Sequence, residues 1–383
     1  MTKTIPIIPF YKKLRKYEIS CVLFDKCNLK CPFCFEADKK YKIDIDYIRT
    51  IPELVFKNYK ETIERDQLDI DVVNIMFWGG EVFFDGVPDA VFDAYYQIVD
   101  KIIDQFAINF PNTKLHFHWL SNGVFTKRDR VQKLLETYRD ISTIGFSYDP
   151  VNRFSSDKQR DTMINNALYF KKLGFCYSIS ITLTKPNIEA WLKSINDLIF
   201  FKDHDFLIDT NFYIANPNWE LYLPNDEMIY QWLRKVIDNK LFNIMIVKKI
   251  LWKDFDTTID KFCDCHQCSQ ITNGVWSIDC ASRSSALPKN RFYGKYSDLI
   301  TEQTTNPIKA SIGIVKRGCL LCEYNERCQM PCWISVIFDQ YQCTVCPYQL
   351  IHRYIEQNPA IVEQFKHYEA NLSFDYPKLL LQN

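Results

Sequence analysis

The sequence predicts an α/β protein: a partial (β/α)6 barrel followed by a small cysteine-rich domain. Three observations predict it. Short apolar runs alternate with amphipathic stretches of helical period over the first 240 residues, the pattern of βα units around a parallel sheet. The runs recur every roughly 30–45 residues, a repeat that suits a barrel. The 15 cysteines avoid most of this region, with three near residue 30 and ten between 263 and 346.

The first strand candidate is 18–24, and a helical stretch at 45–63 follows it. The next pairs are 72–78 with 91–106, 115–120 with 130–138, 143–148 with 163–172, and 176–183 with 188–201, before a sixth strand at 208–214. The strand runs are short and rich in β-branched and aromatic residues, whereas the helical stretches space their apolar residues three and four apart. In a barrel of this kind the chemistry sits at the C-terminal ends of the strands. Four segments fall there: Cys27 after the first strand, Gly79-Gly80-Glu81 after the second, Ser121-Asn122-Gly123 after the third and Asp149 after the fourth. The chain divides into an N-terminal extension (1–16), a barrel (17–240), a cysteine-rich domain (241–350) and a C-terminal helix and tail (351–383).

Lysine plus arginine and aspartate plus glutamate both number 47, so the net charge is zero. A neutral chain does not suit a nucleic-acid partner, whose binding rests on phosphate neutralisation. Hydrophobic residues make up 47% of the chain, enough for a core rather than disorder. The N-terminus lacks the features of a secretory signal, and no apolar run approaches the length of a membrane span. The expected setting is cytoplasmic, with no membrane partner. Thiols stay reduced there, so cysteine richness points to metal or redox chemistry. Cys21 and Cys176 stand apart in alternating apolar runs and are expected to be buried core thiols.

Cys27-Asn-Leu-Lys-Cys31-Pro-Phe-Cys34 places three thiols at x3 and x2 spacing in a loop that leaves a strand. Three thiolates can converge on one face of a four-iron cluster and leave one iron open to a small molecule. A structural zinc site wants a fourth ligand, and the nearest histidine in sequence is His116. The motif, with an aromatic residue just before its last cysteine, resembles the signature of radical S-adenosylmethionine (SAM) enzymes. The resemblance implies that Cys27, Cys31 and Cys34 hold a 4Fe–4S cluster whose open iron chelates the methionine moiety of SAM. Reductive cleavage of SAM then yields a 5′-deoxyadenosyl radical. It also implies that the Phe33 backbone lies near the adenine and that Gly79, Gly80 and Glu81 hold the SAM ammonium. Ser147 and Arg160 are the implied contacts of the SAM carboxylate, and Asn122 is the candidate ribose contact. The family often has glycine after the fourth-strand aspartate, where this chain has Pro150.

Cys319-x2-Cys322-x5-Cys328-x3-Cys332 resembles the core of the SPASM extension of peptide- and protein-modifying radical SAM enzymes. That module binds two auxiliary 4Fe–4S clusters, which makes three clusters in all. The resemblance implies Cys268, Cys280, Cys332 and one of Cys263 or Cys265 for the first auxiliary cluster. It implies Cys319, Cys322, Cys328 and one of Cys343 or Cys346 for the second. The upstream segment Gly274-x5-Cys280 is one residue longer than the family's Gly-x4-Cys. On spacing alone a zinc ribbon also fits Cys319-x2-Cys322-x20-Cys343-x2-Cys346, but it leaves Cys328 and Cys332 unused.

The resemblance implies an oxidoreductase that matures a ribosomally synthesised precursor peptide. A radical takes a hydrogen atom, a new bond forms, and an auxiliary cluster takes up the electron released. The expected product is a side-chain cross-link: a cyclophane, a C–C bond or a thioether. A sulfatase maturase that forms formylglycine is an alternative, as is a peptide epimerase. Sulfatase maturases usually carry aspartate after the cysteine matching Cys280, and here that residue is Ala281. Asp149 and Asp279 are the candidate bases, with Asp264 and Glu36 open beside them. Implied partners are the precursor peptide and an electron donor of flavodoxin or ferredoxin type. A separate leader-binding protein is expected as well, because about 17 residues precede the first strand and leave no room for a leader-binding domain. The aromatic, asparagine-rich segment 213–222 is a candidate leader contact.

Overall fold

The computed structural model describes residues 16–34, 43–66, 70–212, 219–252, 268–272, 275–278, 322–324 and 346–371. They belong to two compact units, one built on residues 16–178 with 268–272 and 275–278, the other on 179–252 with 322–324 and 346–371.

In the first unit β1 (Lys16–Val22), β2 (Val72–Trp78), β3 (Lys114–Ser121) and β4 (Ser142–Tyr148) pair in parallel in sequence order. The crossovers are α1 (Ile45–Asp66), α2 (Asp89–Asn109), α3 (Arg128–Thr137) and α4 (Asp157–Lys172). Each strand lies within two residues of its expected bounds. Helix α4 begins six residues before the expected 163, because the Ser156 hydroxyl caps it by accepting the Gln159 N–H (3.4 Å). Its first turns are polar and carry no apolar period to announce them.

Side chains alternate between the two faces of each strand. On one face Ile19, Cys21, Ile75, Phe77, Phe117, Trp119, Ile144 and Phe146 are fully buried. Burying each large one contributes about 1.5–3 kcal/mol. Helices cover this face. The Tyr17 hydroxyl bonds Asn58 and Thr62 of α1 (3.1 and 3.2 Å), and Tyr95 of α2 lies against Trp119 at 5.1 Å between rings. On the opposite face Glu18, Asn74, His116 and Thr143 are polar.

A hairpin that no apolar run announced adds to the outer edge of β1. Strand β7 (Cys268–Thr272) pairs parallel to β1 with Cys268 opposite Glu18, and β8 (Val275–Ile278) returns antiparallel.

Strand β5 (Cys176–Leu183) carries the chain into the second unit, where β6 (Leu207–Phe212) follows. The strand order β6-β5-β4-β3-β2-β1-β7-β8 keeps the first six strands in sequence order, as a partial (β/α)6 barrel requires. The single helix expected at 188–201 is two, α5 (Lys185–Lys193) and α6 (Asn196–Asp203). Ser194 breaks the path with extended backbone (φ −146°, ψ 134°), and Asp197 bridges the break by accepting from Trp191 Nε1 at 3.0 Å. Beyond them lie α7 (Trp219–Tyr222), α8 (Asp226–Asp238), α9 (Met245–Trp252), α10 (Pro347–Gln357) and α11 (Ala360–Ala370). Trp232 of α8 packs on Trp191 (6.1 Å), and buried Lys248 of α9 pairs with Glu369 of α11 at 2.8 Å. Among the described residues no helix is long and apolar enough to cross a membrane.

Candidate active site

The described site residues gather at the C-terminal ends of β1 to β4 in the first unit. The backbone bonding between β1 and β2 continues past the strands themselves. Leu23 N–H donates to the Trp78 carbonyl (2.8 Å), Gly80 N–H to Phe24 (2.7 Å) and Glu81 N–H to Lys26 (2.8 Å). This zipper draws residues 24–26 against the double-glycine turn and delivers the chain to Cys27. Only glycine permits the approach. A Cβ on Gly79 would lie 2.3 Å from the Phe24 carbonyl oxygen, and one on Gly80 2.0 Å from that of Lys26. Gly79 also takes φ +143°, outside the range side chains adopt readily.

Glu81 is fully buried. Its carboxylate accepts the Ser121 hydroxyl (2.7 Å), the Phe83 N–H (3.0 Å) and the Asn122 N–H. It thereby clamps the end of β2 to the end of β3. Burial pushes the carboxyl up to about 7, against these three donors and the nearby Arg153 charge. A carboxylate has about four acceptor sites, so one is left for a ligand cation.

Asn122 Nδ2 donates to Asn28 Oδ1 (2.8 Å) and lies 3.6 Å from Cys27 Sγ, while Asn28 Nδ2 donates to the Val124 carbonyl (2.6 Å). The residue expected at a ribose laces the third-strand loop onto the cysteine loop. Within that loop Cys34 N–H bonds the Cys31 carbonyl (3.0 Å) and Leu29 N–H reaches Cys27 Sγ (3.4 Å). None of the three is in a disulfide; Cys31 is buried and Cys27 and Cys34 are half-buried. Burial, then the Glu81 and Cys31 charges, push Cys27 up to about 11 against the Leu29 and Asn122 donors. Burial raises Cys31 as well, with the Arg153 charge opposing it. Among the described residues no three His, Cys, Asp or Glu side chains gather around one point, as a single metal ion requires. A cluster takes each thiolate on a different iron and needs no such convergence.

The loop after β4 supplies a cation. Arg153 Nε donates to Asp149 Oδ2 at 2.5 Å, Asp149 is buried and Arg153 partly so, and the guanidinium lies 5.5 Å over the Phe33 ring. Burial disfavours the Arg153 charge, but Asp149, Cys31 and Cys34 outweigh it and raise the pKa. Asp149, expected as a base, is thus held in an ion pair. Arg160 makes its ion pairs on α4 itself. It sits in the first turns of α4, half-exposed, paired with Asp157 (3.1 Å) and Asp161 (3.6 Å). Ser147 is half-buried near the end of β4, and Phe33 is buried. Arg153, Asn28 and Ser121 join the expected residues at the site. The Asp-x3-Arg spacing of Asp149 and Arg153 was the available signal for the first.

Of the expected auxiliary ligands, Cys268 opens β7, Cys346 is the N-cap of α10, and Cys322 precedes a turn held to α10 by the Tyr324–Glu356 bond (2.7 Å). Cys322 and Cys346 are half-buried free thiols. Cys263, Cys265, Cys280, Cys319, Cys328, Cys332, Cys343, Asp264, Asp279 and Glu36 lie outside the described residues, as does 213–218 of the candidate leader contact. Cys21 and Cys176 are fully buried core thiols, as expected, and burial pushes Cys176 up to about 12.

No protein-family model and no curated sequence matches the chain. Solved structures do. The protein anSMEcpe, with bound AdoMet and Cp18Cys peptide, superposes with a TM-score of 0.61 at 16% identity, covering 92% of this chain and 99% of that one. The chain has the radical SAM fold. The same protein with AdoMet alone gives a TM-score of 0.60 at 15% identity, covering 93% and 100% of the two chains. Streptococcus suis SuiB bound to S-adenosylmethionine gives 0.48 at 16% identity, over 88% and 76%. In this radical SAM fold the cysteine loop, the Gly79-Gly80-Glu81 turn and Arg153 meet at one end of the parallel strands.

Proposed function

We propose that the chain is a radical SAM enzyme that oxidises a peptide. The observation that carries the reading is the backbone zipper from Leu23 to Glu81, which holds a Cys-x3-Cys-x2-Cys loop against a glycine turn too tight for any side chain. The residues fit a 4Fe–4S cluster with SAM: three thiols carried on one short loop, a cradle a Cβ would fill, and a buried carboxylate with an acceptor site to spare. When bound, that pair supplies a carbon-centred radical able to take hydrogen from an unactivated C–H bond. Cys27, Cys31 and Cys34 hold the cluster as thiolates, so loading displaces the protons that burial favours. Glu81 offers the SAM ammonium its remaining acceptor site. Ser147 and Arg153 offer donors to the SAM carboxylate, and the Arg153 cation offsets thiolate charge.

The proposed substrate is a ribosomally made precursor peptide, and the proposed product an intramolecular cross-link. Cys268, Cys280 and Cys332 with Cys263 or Cys265, and Cys319, Cys322 and Cys328 with Cys343 or Cys346, would hold two auxiliary clusters, which would supply a sink for the electron released. A flavodoxin- or ferredoxin-type protein supplies the reducing electron, and a separate protein binds the leader. The test is to reconstitute the enzyme anaerobically and supply SAM, reductant and the short peptide encoded beside its gene. The expected result is 5′-deoxyadenosine and a peptide lighter by two hydrogen atoms. A colourless zinc protein refutes the proposal. The fold match to anSMEcpe with a bound peptide favours a second reading, sulfatase maturation. Formylglycine formed in a sulfatase-derived cysteine peptide selects it.

A further inference from the structure

On the face of the first unit's sheet opposite the helices, side chains from four strands form one hydrogen-bonded row. Glu18 stands opposite Asn74 and Asn74 opposite His116, while His118 stands opposite Thr143. Asn74 Nδ2 lies 3.3 Å from Glu18 Oε2, and Asn74 Oδ1 lies 2.8 Å from His116 Nδ1. Thr143 Oγ1 then lies 3.1 Å from His116 Nε2 and 2.9 Å from His118 Nδ1.

The carboxylate sets the direction of every link. It accepts only, so the Asn74 amide nitrogen faces it and the amide oxygen faces His116. His116 Nδ1 must therefore donate, and a ring that carries only that proton leaves Nε2 as an acceptor for the Thr143 hydroxyl proton. With its proton spent there, Thr143 Oγ1 accepts from His118 Nδ1–H. His118 is left with an unprotonated Nε2. Burial pushes its pKa down to about 4, so the ring is neutral at neutral pH.

Among the described residues no group bonds His118 Nε2. It lies over Gly145, where a Cβ would come within 2.7 Å of it, so the glycine is what gives the ring its place. His118, Leu120 and Asn122 share one face by the two-residue period, and Asn122 touches Cys27. His118 is three residues before Ser121, about 10 Å along the strand. A segment bound at His118 therefore keeps a neighbouring residue within reach of the cysteine loop.

We infer that the row is a polarised device that fixes His118 as the Nδ1–H tautomer and presents bare Nε2 as the acceptor for a backbone N–H of the bound peptide. The inference rests on the peptide-oxidising function proposed above. It makes His118 a positioning residue for the substrate and the other four its orienting chain.

The test has two readouts on the full-length protein. Imidazole nitrogen NMR on isotope-labelled protein is expected to show His118 as the Nδ1–H tautomer, and Asn74→Leu to lose that bias. An Nε2–H tautomer in the wild type overturns the inference, whatever the substrate. Kinetics with the short peptide encoded beside the gene supply the second readout. His118→Asn keeps a donor toward Thr143 and removes only Nε2. KM for the peptide is expected to rise about 2- to 12-fold, the loss of one neutral hydrogen bond, with kcat unchanged. His118→Gln, whose amide oxygen reaches the place of Nε2, is expected to restore it. Equal KM in all three proteins overturns the acceptor role alone. A wild type that neither binds nor oxidises the peptide overturns the function as well.

Discussion

Gly80→Ala tests whether the turn after β2 shapes the cysteine loop. The new Cβ would stand 2.0 Å from the Lys26 carbonyl oxygen, where real contacts stay beyond 3.0 Å, so the two segments must part by about 1 Å. Overpacking of this kind costs about 1–3 kcal/mol. The Glu81-to-Lys26 backbone bond is lost with it, about 1 kcal/mol more. A total of about 2–4 kcal/mol shifts the closed loop's equilibrium about 30- to 900-fold, and the carbonyl displaced belongs to the residue before Cys27. Iron per chain after anaerobic reconstitution is the assay. The variant is expected to lose about four irons, one cluster, and to stop cleaving SAM. Gly86→Ala is the control, because its Cβ would meet a Phe84 ring carbon at 2.5 Å, and a ring on a flexible side chain can turn aside. Wild-type iron and SAM cleavage in Gly80→Ala would refute the claim that the zipper holds the loop.

Arg153→Gln leaves buried Asp149 without its partner and is expected to cost about 3–5 kcal/mol in denaturant unfolding, whereas Arg160→Gln on the surface of α4 changes stability by less than about 0.5 kcal/mol and keeps SAM cleavage. Glu81, raised to about 7 from the ordinary 4.5, favours folding most when protonated. Stability is therefore full below that lower value and falls by up to about 3 kcal/mol as pH climbs through the upper one; Glu81→Gln, compared by unfolding across this range, should lack that slope. Cys21→Ala should leave iron content unchanged while lowering the melting temperature, and Cys27→Ala should remove one cluster. In the second unit Glu369→Gln strands the buried Lys248 charge and should destabilise the unit, while Lys248→Met with Glu369→Leu together should be close to neutral by the same unfolding assay.

The barrel was legible because each β strand is short, apolar and separated from the next by an amphipathic helix, and the strand bounds came within two residues. The break between α5 and α6 was not, because Ser194 and Ile195 interrupt a continuous apolar period without a proline or glycine to mark the stop. The β7–β8 hairpin escaped notice because its residues, Cys-Ser-Gln-Ile-Thr and Val-Trp-Ser-Ile, sit among cysteines whose spacing dominated the reading. In the site, the cysteine triplet and Gly79-Gly80-Glu81 announce themselves by spacing. The Arg153–Asp149 pair does not, since the loop that carries Arg153 ends where α4 begins, and that is set by one capping serine. The role of Glu81 as a clamp rests on the Ser121 hydroxyl and two backbone N–H groups brought together only by the fold.

The pairing of β7 with β1 has a consequence in time. From Val22 to Cys268 the ribosome must add 246 residues, about 12–50 s at 5–20 residues per second. Throughout that interval the outer edge of β1 has emerged and its permanent neighbour has not been made. An unpaired strand edge is a template for another chain, and Tyr17, Ile19 and Cys21 on it are fully or nearly fully buried in the finished protein. Crowded, rapid expression at high temperature lets nascent chains meet while that edge is bare. Slower synthesis in the cold, which separates them, is the condition under which this chain should be recovered soluble.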